Sequence, residues 1–341
     1  MQKHNSVALV VTSIAAPTKS MIELAKGAKA NNINFICIGD KKSPDNFFLP
    51  GCRFYSINEQ LQSGFQFPNL CPTGHYARKN IGYLLAAREG AQKIIETDDD
   101  NRPLPEFWDD NEPCEGGFLV QNKGWLNAYS YFTDSFIWPR GFPLQYLQNA
   151  KPPEKAHDKK IFVPVQQGLA DGDPDVDAIF RLTRSLPISF DQRRPIILSP
   201  GTWCPFNSQN TIWWHQALPL MYLPSYCSFR MTDIWRSLVT QACLWANEWA
   251  VGFFSPTVYQ DRNEHILLQD FEAELSGYLN NHKIAEKLSS LTLKKGEDYL
   301  IDNMRQCYET LIKMKLIDKD ELLLLDAWEK DIKSLFKANK I

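Results

Sequence analysis

Three consecutive aspartates, Asp98, Asp99 and Asp100, follow a short apolar segment at residues 93–96. Alternate side chains of an extended chain point to the same side, so Asp98 and Asp100 are expected to converge. Two converging carboxylates bind a hard divalent cation, and that cation can also hold a diphosphate and stabilise its charge as it leaves. The pattern therefore predicts a metal and nucleotide site, with an acidic, solvated turn as the alternative.

Other charged residues stand where a nucleotide would be held. Asp40 closes a second apolar segment, where a carboxylate can accept hydrogen bonds from a ribose or a pyrimidine ring. Arg78 and Lys79 begin a helical segment that leads to the aspartates, and their cations can bind phosphate or base. A turn aspartate and ordinary surface charges are the alternatives.

A second acidic group, Asp173, Asp175 and Asp177, alternates with Pro174 and Val176. Its carboxylates can bind sugar hydroxyls or a metal, but the glycine and terminal glutamate of an EF-hand are missing. Trp203, Trp213 and Trp214 belong to a tryptophan-rich segment that either fills the core or offers stacking platforms for sugars. We predict that the acidic group, Trp213 and Arg230 form the sugar and acceptor site.

Two further side chains could take part in catalysis. Asp233 stands at the predicted start of a helix, where it either caps the helix or acts as a general base that the helix terminus keeps ionised. His265 is either a late metal ligand or, as lone histidines more often are, a structural residue.

Alternating apolar segments predict the elements that position these residues. Strands are expected at residues 7–11, 33–38, 93–96, 161–165 and 195–198, and helices at 17–30, at 76–90 and from about 232. This alternation predicts an α/β fold with a largely parallel sheet between helices, whose ligands bind beyond the carboxyl ends of the strands.

The remainder of the chain is expected to surround this sheet. Residues 149–160 are predicted to form an exposed loop or lid. From about residue 272 the composition changes to leucine, lysine and glutamate at helical spacing, which predicts a domain of residues 1–271 and a C-terminal helical appendage of residues 272–341.

Composition excludes several classes of protein. The chain has 341 residues and a formal net charge of −3, so a protein that coats nucleic acid is not expected. Eight cysteines without CxxC spacing predict reduced thiols and a cytoplasmic location. No window holds the roughly 18 apolar residues of a spanning helix. Lysines at 330, 333, 337 and 340 favour a solvated helix face, with peripheral contact with an anionic membrane as the alternative.

Six motifs in order give the chain a resemblance to one family, the STELLO-type glycosyltransferases, and more distantly to the reversibly glycosylated polypeptides, which are UDP-arabinopyranose mutases. The resemblance covers most of the chain from residue 7 to about 279. It is carried by RKNIGYL (78–84) leading to ETDDDN (96–101), GDPDVDAIFRLT (172–183), PFNSQNT (205–211), RMTDIWR (230–236) and QDRNEH (260–265).

The resemblance implies a GT-A fold, a Rossmann-like nucleotide-sugar domain with a bound divalent cation, usually Mn²⁺ and otherwise Mg²⁺. It implies that Asp98 faces the ribose and the metal, and that Asp100 and His265 ligate the metal. Asp99 is expected among the nucleotide-binding residues. Thr12, Ser13 and Asp40 would lie by the nucleoside. Asp233 stands where inverting members carry their catalytic base, although Thr232 replaces the preceding acid.

These observations predict a metal-dependent glycosyltransferase. It would transfer a sugar from a nucleotide donor, by analogy a UDP-sugar, to a glycan or lipid-linked acceptor in polysaccharide or cell-surface glycan synthesis. A nucleotide-sugar mutase needs the same donor site and remains an alternative. A non-catalytic scaffold of glycan assembly is a third hypothesis.

Overall fold

A computed structural model describes residues 6–121, 123–149, 152, 157–261 and 266–338 of the chain. Its strands are β1 (Val7–Thr12), β2 (Asn34–Ile38), β3 (Arg53–Tyr55), β4 (Lys93–Thr97), β5 (Asn101–Pro103), β6 (Cys114–Val120), β7 (Gly124–Trp125), β8 (His157–Phe162), β9 (Val165–Gly172), β10 (Ile196–Leu198), β11 (Thr202–Trp203), β12 (Asn210–Trp214) and β13 (Val251–Gln260). Its α-helices are α1 (Lys19–Ala30), α2 (Ile57–Leu61), α3 (Phe67–Leu70), α4 (Lys79–Arg88), α5 (Ala178–Thr183), α6 (Thr232–Trp245), α7 (Leu267–Ser289), α8 (Leu300–Lys313) and α9 (Glu321–Ala338).

One mixed sheet organises the described residues, in the order β3-β2-β1-β4-β12-β9-β13-β10-β6-β8, with β5 beside β13 and a separate β7-β11 pair. The strands β3, β2, β1 and β4 are parallel, so their carboxyl ends meet at one edge. The predicted α/β fold, with one sheet flanked by helices, is confirmed. The sheet is mixed and not largely parallel, because β12 pairs antiparallel with β4 and β9, and β13 with β10. One difference is local: the strand expected at residues 161–165 is the end of β8 and the start of β9.

The sheet lies between two helical layers because both faces of β1 are apolar. Leu9 and Val11 pack with the buried residues of α1, whereas Ala8 and Val10 join the larger core around α4. Every residue from 8 to 11 is buried, which is the pattern of a central parallel strand. Gly90, at φ +82°, follows the end of α4 in a conformation that favours glycine.

The C-terminal helices share this core and do not stand apart from it. Trp328 of α9 and Tyr308 of α8 are fully buried in the same cluster as the residues of α4 and α6. The Asp331 carboxylate of α9 accepts hydrogen bonds from the backbone amides of Gln66 and Phe67. The predicted domain boundary between residues 271 and 272 falls inside the continuous helix α7.

Some predictions fall partly outside the described residues. These include much of the predicted loop at 149–160, together with Lys340. Within the part that the structure describes, no helix combines the length and the apolar character that crossing a membrane requires.

Candidate functional site

Two adjoining cavities lie where β1, β2 and β4 end. The first, the acidic cavity, is lined by Thr12, Tyr76, Asp98, Asp99, Asp100, Arg140, Asp175, Ser208, Gln209, Phe229, Arg230, Asp233 and Gln260. The second, the aromatic cavity, is lined by Thr12, Ser13, Ile14, Ile38, Gly39, Asp40, Lys41, Lys42, Gly74, His75, Tyr76, Arg78, Asp99 and Phe229. Because the two share Thr12, Tyr76, Asp99 and Phe229, they form one continuous cleft at the carboxyl edge of the sheet.

The aspartates after β4 stand at the centre of this cleft. Burial raises the pKa of Asp98 to about 6, although the nearby Lys79 ammonium lowers it, and the neighbouring Asp100 raises it further. Burial also raises the pKa of Asp99, whose Oδ2 accepts a hydrogen bond of 2.6 Å from the Ser13 hydroxyl. The cavity therefore concentrates negative charge that a bound cation would neutralise.

Asp98 and Asp100 offer a suitable oxygen donor set for Mn²⁺ or Mg²⁺. Both line the acidic cavity, and the Asp98 side chain keeps 39% of its surface exposed. Among the described residues, no group of three His, Cys, Asp or Glu side chains could hold a metal ion. Two carboxylates fit a cation that completes its shell with water and substrate phosphate oxygens. The predicted third ligand, His265, lies outside the described residues.

The structure corrects the prediction that Lys79 grips phosphate. Its side chain is fully buried, and its ammonium donates to the carbonyl oxygens of Thr97 (2.9 Å) and Ser208 (3.3 Å) and to Asp98 Oδ1 (3.1 Å). These three contacts use its three hydrogens. Lys79 therefore holds the end of β4 and orients Asp98.

Arg78 also donates its hydrogen bonds to groups of the protein. Its Nε and Nη2 donate to Gln60 Oε1 at 2.8 and 2.5 Å, and its Nη1 donates to the Cys71 carbonyl at 2.8 Å. Gln60 in turn donates to the carbonyls of Gly39 and Tyr55. Arg78 thus supports the wall of the aromatic cavity, and its guanidinium is committed to protein partners.

Arg140, which the sequence analysis did not single out, joins two of the predicted site residues. Its guanidinium binds Asp175 through contacts of 2.8 and 2.7 Å, and Asp233 through contacts of 3.0 and 2.9 Å. The two carboxylates are almost buried, with 7% and 4% of their side chains exposed. The arginine lies 35 residues before Asp175 and 93 residues before Asp233, so no local motif predicts this contact.

These contacts make Asp233 a poor general base. Burial by itself would raise the pKa of Asp233, but the Arg140 guanidinium holds it at about 2. Its carboxylate also accepts hydrogen bonds from the backbone amides of Ser208 (3.2 Å) and Ile234 (3.0 Å). A carboxylate with such a low pKa and so many donors holds a proton weakly. The geometry therefore supports a positioning role for Asp233.

Two of the three aspartates of the second acidic group serve the fold. Asp177 caps α5 by accepting a hydrogen bond from the Phe180 amide at 2.8 Å, and it also accepts one from Trp138 Nε1 at 2.7 Å. Asp173 pairs with Arg181 and does not line the cleft. Of this group, Asp175 alone lines the acidic cavity, so the predicted sugar-binding roles of Asp173 and Asp177 are corrected.

Trp213 is likewise part of the core. None of its surface is exposed, and its Nε1 donates to Glu96 at 2.8 Å. Trp203 and Trp214 are 4% and 5% exposed. A buried indole cannot stack on a sugar, so the prediction for Trp213 is wrong. Its place on a sheet strand between helices explains the burial.

Arg230 lines the acidic cavity as predicted, and a C-terminal helix holds it there. Glu274 of α7 is fully buried and accepts hydrogen bonds from Arg230 Nε (3.0 Å) and Nη2 (2.8 Å). The same carboxylate accepts a hydrogen bond from the Ala178 amide at the start of α5. The C-terminal helices are therefore a structural part of the cleft.

An aromatic wall, formed by His75, Tyr76 and Phe229, runs along both cavities. The rings of His75 and Tyr76 are stacked with centroids 5.6 Å apart, and Phe229 meets the Tyr76 ring edge-on at 4.9 Å. Burial lowers the pKa of His75 to about 4, so its ring is neutral at pH 7. Phe229 is 51% exposed, so part of its ring is accessible from the two cavities that it lines.

The sequence analysis missed this wall. Phe229 precedes the motif at 230–236 and the histidine precedes the motif at 78–84, but no spacing rule links side chains about 150 positions apart. Asp40 lies at the same wall, where its carboxylate accepts hydrogen bonds from the backbone amides of Gly74 (2.7 Å) and His75 (3.2 Å). These hydrogen bonds hold the end of β2 against the loop that carries His75.

Residues 230–341 match a family model described as STELLO glycosyltransferases. The chain is 30% identical over 279 residues to probable glycosyltransferase STELLO1 of Arabidopsis thaliana, a match covering 75% of this chain and 36% of that protein. It is 26% identical over 327 residues to probable glycosyltransferase STELLO2 of the same plant, covering 89% and 41%. The chain thus spans well under half the length of these curated relatives.

Among solved structures, glucosyl-3-phosphoglycerate synthase from Mycobacterium tuberculosis matches with a TM-score of 0.42 and 10% identity, over 82% of this chain and 81% of that chain. A second mycobacterial protein matches with the same score and identity, over 82% and 76%. The family model and the two plant proteins confirm the resemblance that the motifs predicted: the chain is a relative of the STELLO glycosyltransferases.

Proposed function

We propose that this chain is a glycosyltransferase that uses a nucleoside diphosphate sugar, with UDP-sugars as the first donors to test. The observation that carries the proposal is the continuous cleft, in which Asp98 and Asp100 adjoin a cavity with an aromatic wall. The relationship to proteins named as probable glycosyltransferases supports it. The acceptor would be a glycan or lipid-linked hydroxyl compound of polysaccharide or cell-surface glycan synthesis.

The cleft suggests where each part of the donor binds. The base and ribose would occupy the aromatic cavity, against His75 and Phe229 and near Asp40. The diphosphate would lie beside Asp98 and Asp100, which would hold Mn²⁺ or Mg²⁺. A bound cation would screen the repulsion between carboxylates and diphosphate and stabilise the charge on the departing diphosphate.

The remaining groups of the acidic cavity would orient the reacting sugars. Asp175 offers carboxylate oxygens to hydroxyl groups, and Arg230 adds a guanidinium. Arg140 donates its hydrogens to Asp175, Asp233 and the Arg230 carbonyl, so it positions these residues. In the reaction the acceptor oxygen bonds to the anomeric carbon, while the bond from that carbon to the diphosphate oxygen breaks and its electron pair stays with the diphosphate. The acceptor's proton passes to water or to the departing diphosphate, whose terminal group has a pKa near 6.

The test begins with binding. Thermal unfolding is measured with UDP, GDP, CDP and CMP, each with and without Mn²⁺, because a ligand that binds only the native protein raises its melting temperature. We expect stabilisation by UDP that depends on the cation. A folded protein that responds to none of these nucleotides would contradict the proposal and favour the scaffold hypothesis.

The second stage follows the product. UDP-sugars are incubated with the protein and neutral saccharides, and transfer is expected only when an acceptor is present. Conversion of the nucleotide sugar to a different ring form without acceptor would instead identify a mutase.

A further inference from the structure

Tyr76 is one of the four residues that line both cavities of the cleft. Its ring contacts His75 and Phe229 in the aromatic wall, and its hydroxyl reaches the start of α6. There the phenolic oxygen accepts a hydrogen bond from the Asp233 backbone amide, with 3.0 Å between nitrogen and oxygen. Tyr76 therefore presents its ring to the aromatic cavity and its hydroxyl to the acidic cavity.

The hydrogen of this hydroxyl is available to a ligand. A phenol donates one hydrogen bond and can accept others, and the Asp233 amide supplies an accepted one. Among the residues that the structure describes, none accepts the Tyr76 hydrogen. Burial raises the pKa of Tyr76 well above its usual value, so the hydrogen stays in place at neutral pH.

We propose that the Tyr76 hydroxyl donates a hydrogen bond to the diphosphate of the nucleotide donor, which makes Tyr76 a donor-binding residue. The inference rests on the proposed function, because the diphosphate must connect a base in the aromatic cavity to the aspartates after β4. The accepted bond from the amide at the positive end of α6 polarises the phenol and strengthens its donation to an anion. The same bond would stabilise the departing diphosphate.

The decisive experiment compares UDP with uridine. Calorimetric affinities for both are measured in Mn²⁺ for the wild-type protein and for Tyr76→Phe, which keeps the aromatic ring and loses the hydroxyl. We expect the affinity for UDP to fall by about tenfold to a hundredfold, the range for a hydrogen bond to a charged group. The affinity for uridine should stay within about twofold of the wild-type value.

The ratio of the two affinities separates this role from a structural one. Tyr76→Phe also leaves the Asp233 amide without its acceptor, and a resulting distortion of the cleft would weaken both ligands together. Phe229→Ala should weaken both ligands in proportion, because it removes part of the aromatic wall only. Tyr226→Phe makes the same chemical change outside both cavities and should alter neither affinity.

Each outcome decides the question. A UDP to uridine ratio that is unchanged in Tyr76→Phe overturns the inference and leaves the proposed function standing. A wild-type protein that binds neither UDP nor uridine overturns both. Should Tyr76→Phe fail to fold by circular dichroism, 3-fluorotyrosine is placed at position 76, where it keeps the ring and the hydroxyl. Its more acidic hydroxyl should raise the ratio of UDP affinity to uridine affinity, and an unchanged ratio would overturn the inference.

Discussion

The two aspartate groups of this chain look alike in sequence and differ in the structure. Asp98, Asp99 and Asp100 line the cleft, and burial raises the pKa of the first two. In the second group, Asp177 caps a helix and Asp173 pairs with an arginine. Its third member, Asp175, does reach the cleft, but Arg140 already neutralises it and holds its pKa below the usual range.

The difference lies in how far each group is exposed to the cavity. The first group follows a parallel strand, whose exit at the sheet edge leaves its side chains beside a cavity, so they stay half-buried although Lys79 and Ser13 contact two of them. The second group is followed directly by α5 and has arginines within reach. A carboxylate enclosed by its cation and its amide donors serves the fold, whereas one that faces a cavity can also bind a ligand.

The largest expected effect is on Arg140, the cation that neutralises two carboxylates. Arg140→Met should lower the free energy of unfolding by about 3 to 5 kcal/mol, because Asp175 and Asp233 remain buried without their counterion. Urea unfolding measures the loss. Without Arg140, the pKa values of Asp175 and Asp233 would rise. The loss of unfolding free energy should therefore become smaller as the pH falls below about 5 and these carboxylates are protonated.

Arg193→Met is the matched control for that variant. Arg193 also pairs with two aspartates, but its side chain is 37% exposed. Its replacement should cost less than about 1 kcal/mol. Equal losses in the two arginine variants would contradict the importance assigned to burial.

The next effect is on the first aspartate group. Asp100→Asn should weaken cation-dependent UDP binding about a hundredfold while leaving the melting temperature within a few degrees of wild type, because a neutral amide replaces a metal-binding carboxylate of similar shape. Calorimetry with and without Mn²⁺ measures the affinity for UDP. Asp109→Asn makes the same change outside the cleft. Wild-type binding by the Asp100 variant would remove the distinction between the two groups.

Asp177→Ala tests the second group through stability. The variant should lose about 2 to 3 kcal/mol of unfolding free energy, because the cap of α5 disappears and the buried Trp138 nitrogen loses its acceptor. Its affinity for UDP should not change. Asp177→Asn keeps an oxygen for the cap but presents an amide to Trp138, so it should lose about half as much. An Asp177→Ala variant that is stable and binds UDP poorly would reverse the assignment.

The smallest effect concerns the pH dependence of binding. Burial raises the pKa of Asp98 to about 6, and a cation binds the ionised form. Ionisation of Asp98 should therefore let the affinity for UDP in Mn²⁺ level off above about pH 7, and its protonation should contribute up to a tenfold fall for each pH unit below about 6. Since the folded pKa lies above the unfolded one, ionising Asp98 lowers stability as the pH rises from about 4 to 6.

Asp98→Asn is the control, because the terminal phosphate of UDP titrates in the same range. The variant should retain the part of the slope that belongs to the nucleotide and lose the rest. Identical slopes in the two proteins would mean that Asp98 does not hold the cation.

Local sequence signals were sufficient to predict the main strands and helices that precede the first aspartate group. Continuous apolar segments predicted β1, β2 and β4, and helical spacing predicted α1 and α4. These signals are local, since each depends on residues within one element. The ordered motifs also identified the family before any contact was known.

Tertiary contacts determine which polar residues reach the cleft. Lys79 belongs to a family motif and Trp213 to the tryptophan-rich segment, but both point into the interior, whereas Arg140 has no motif and lies at the centre of the charge network. Glu274 holds Arg230 from a helix that the sequence assigned to a separate appendage. The burial, charge state and hydrogen bonds of these side chains depend on residues far apart in the chain. The periodicity of one segment contains no information about those partners.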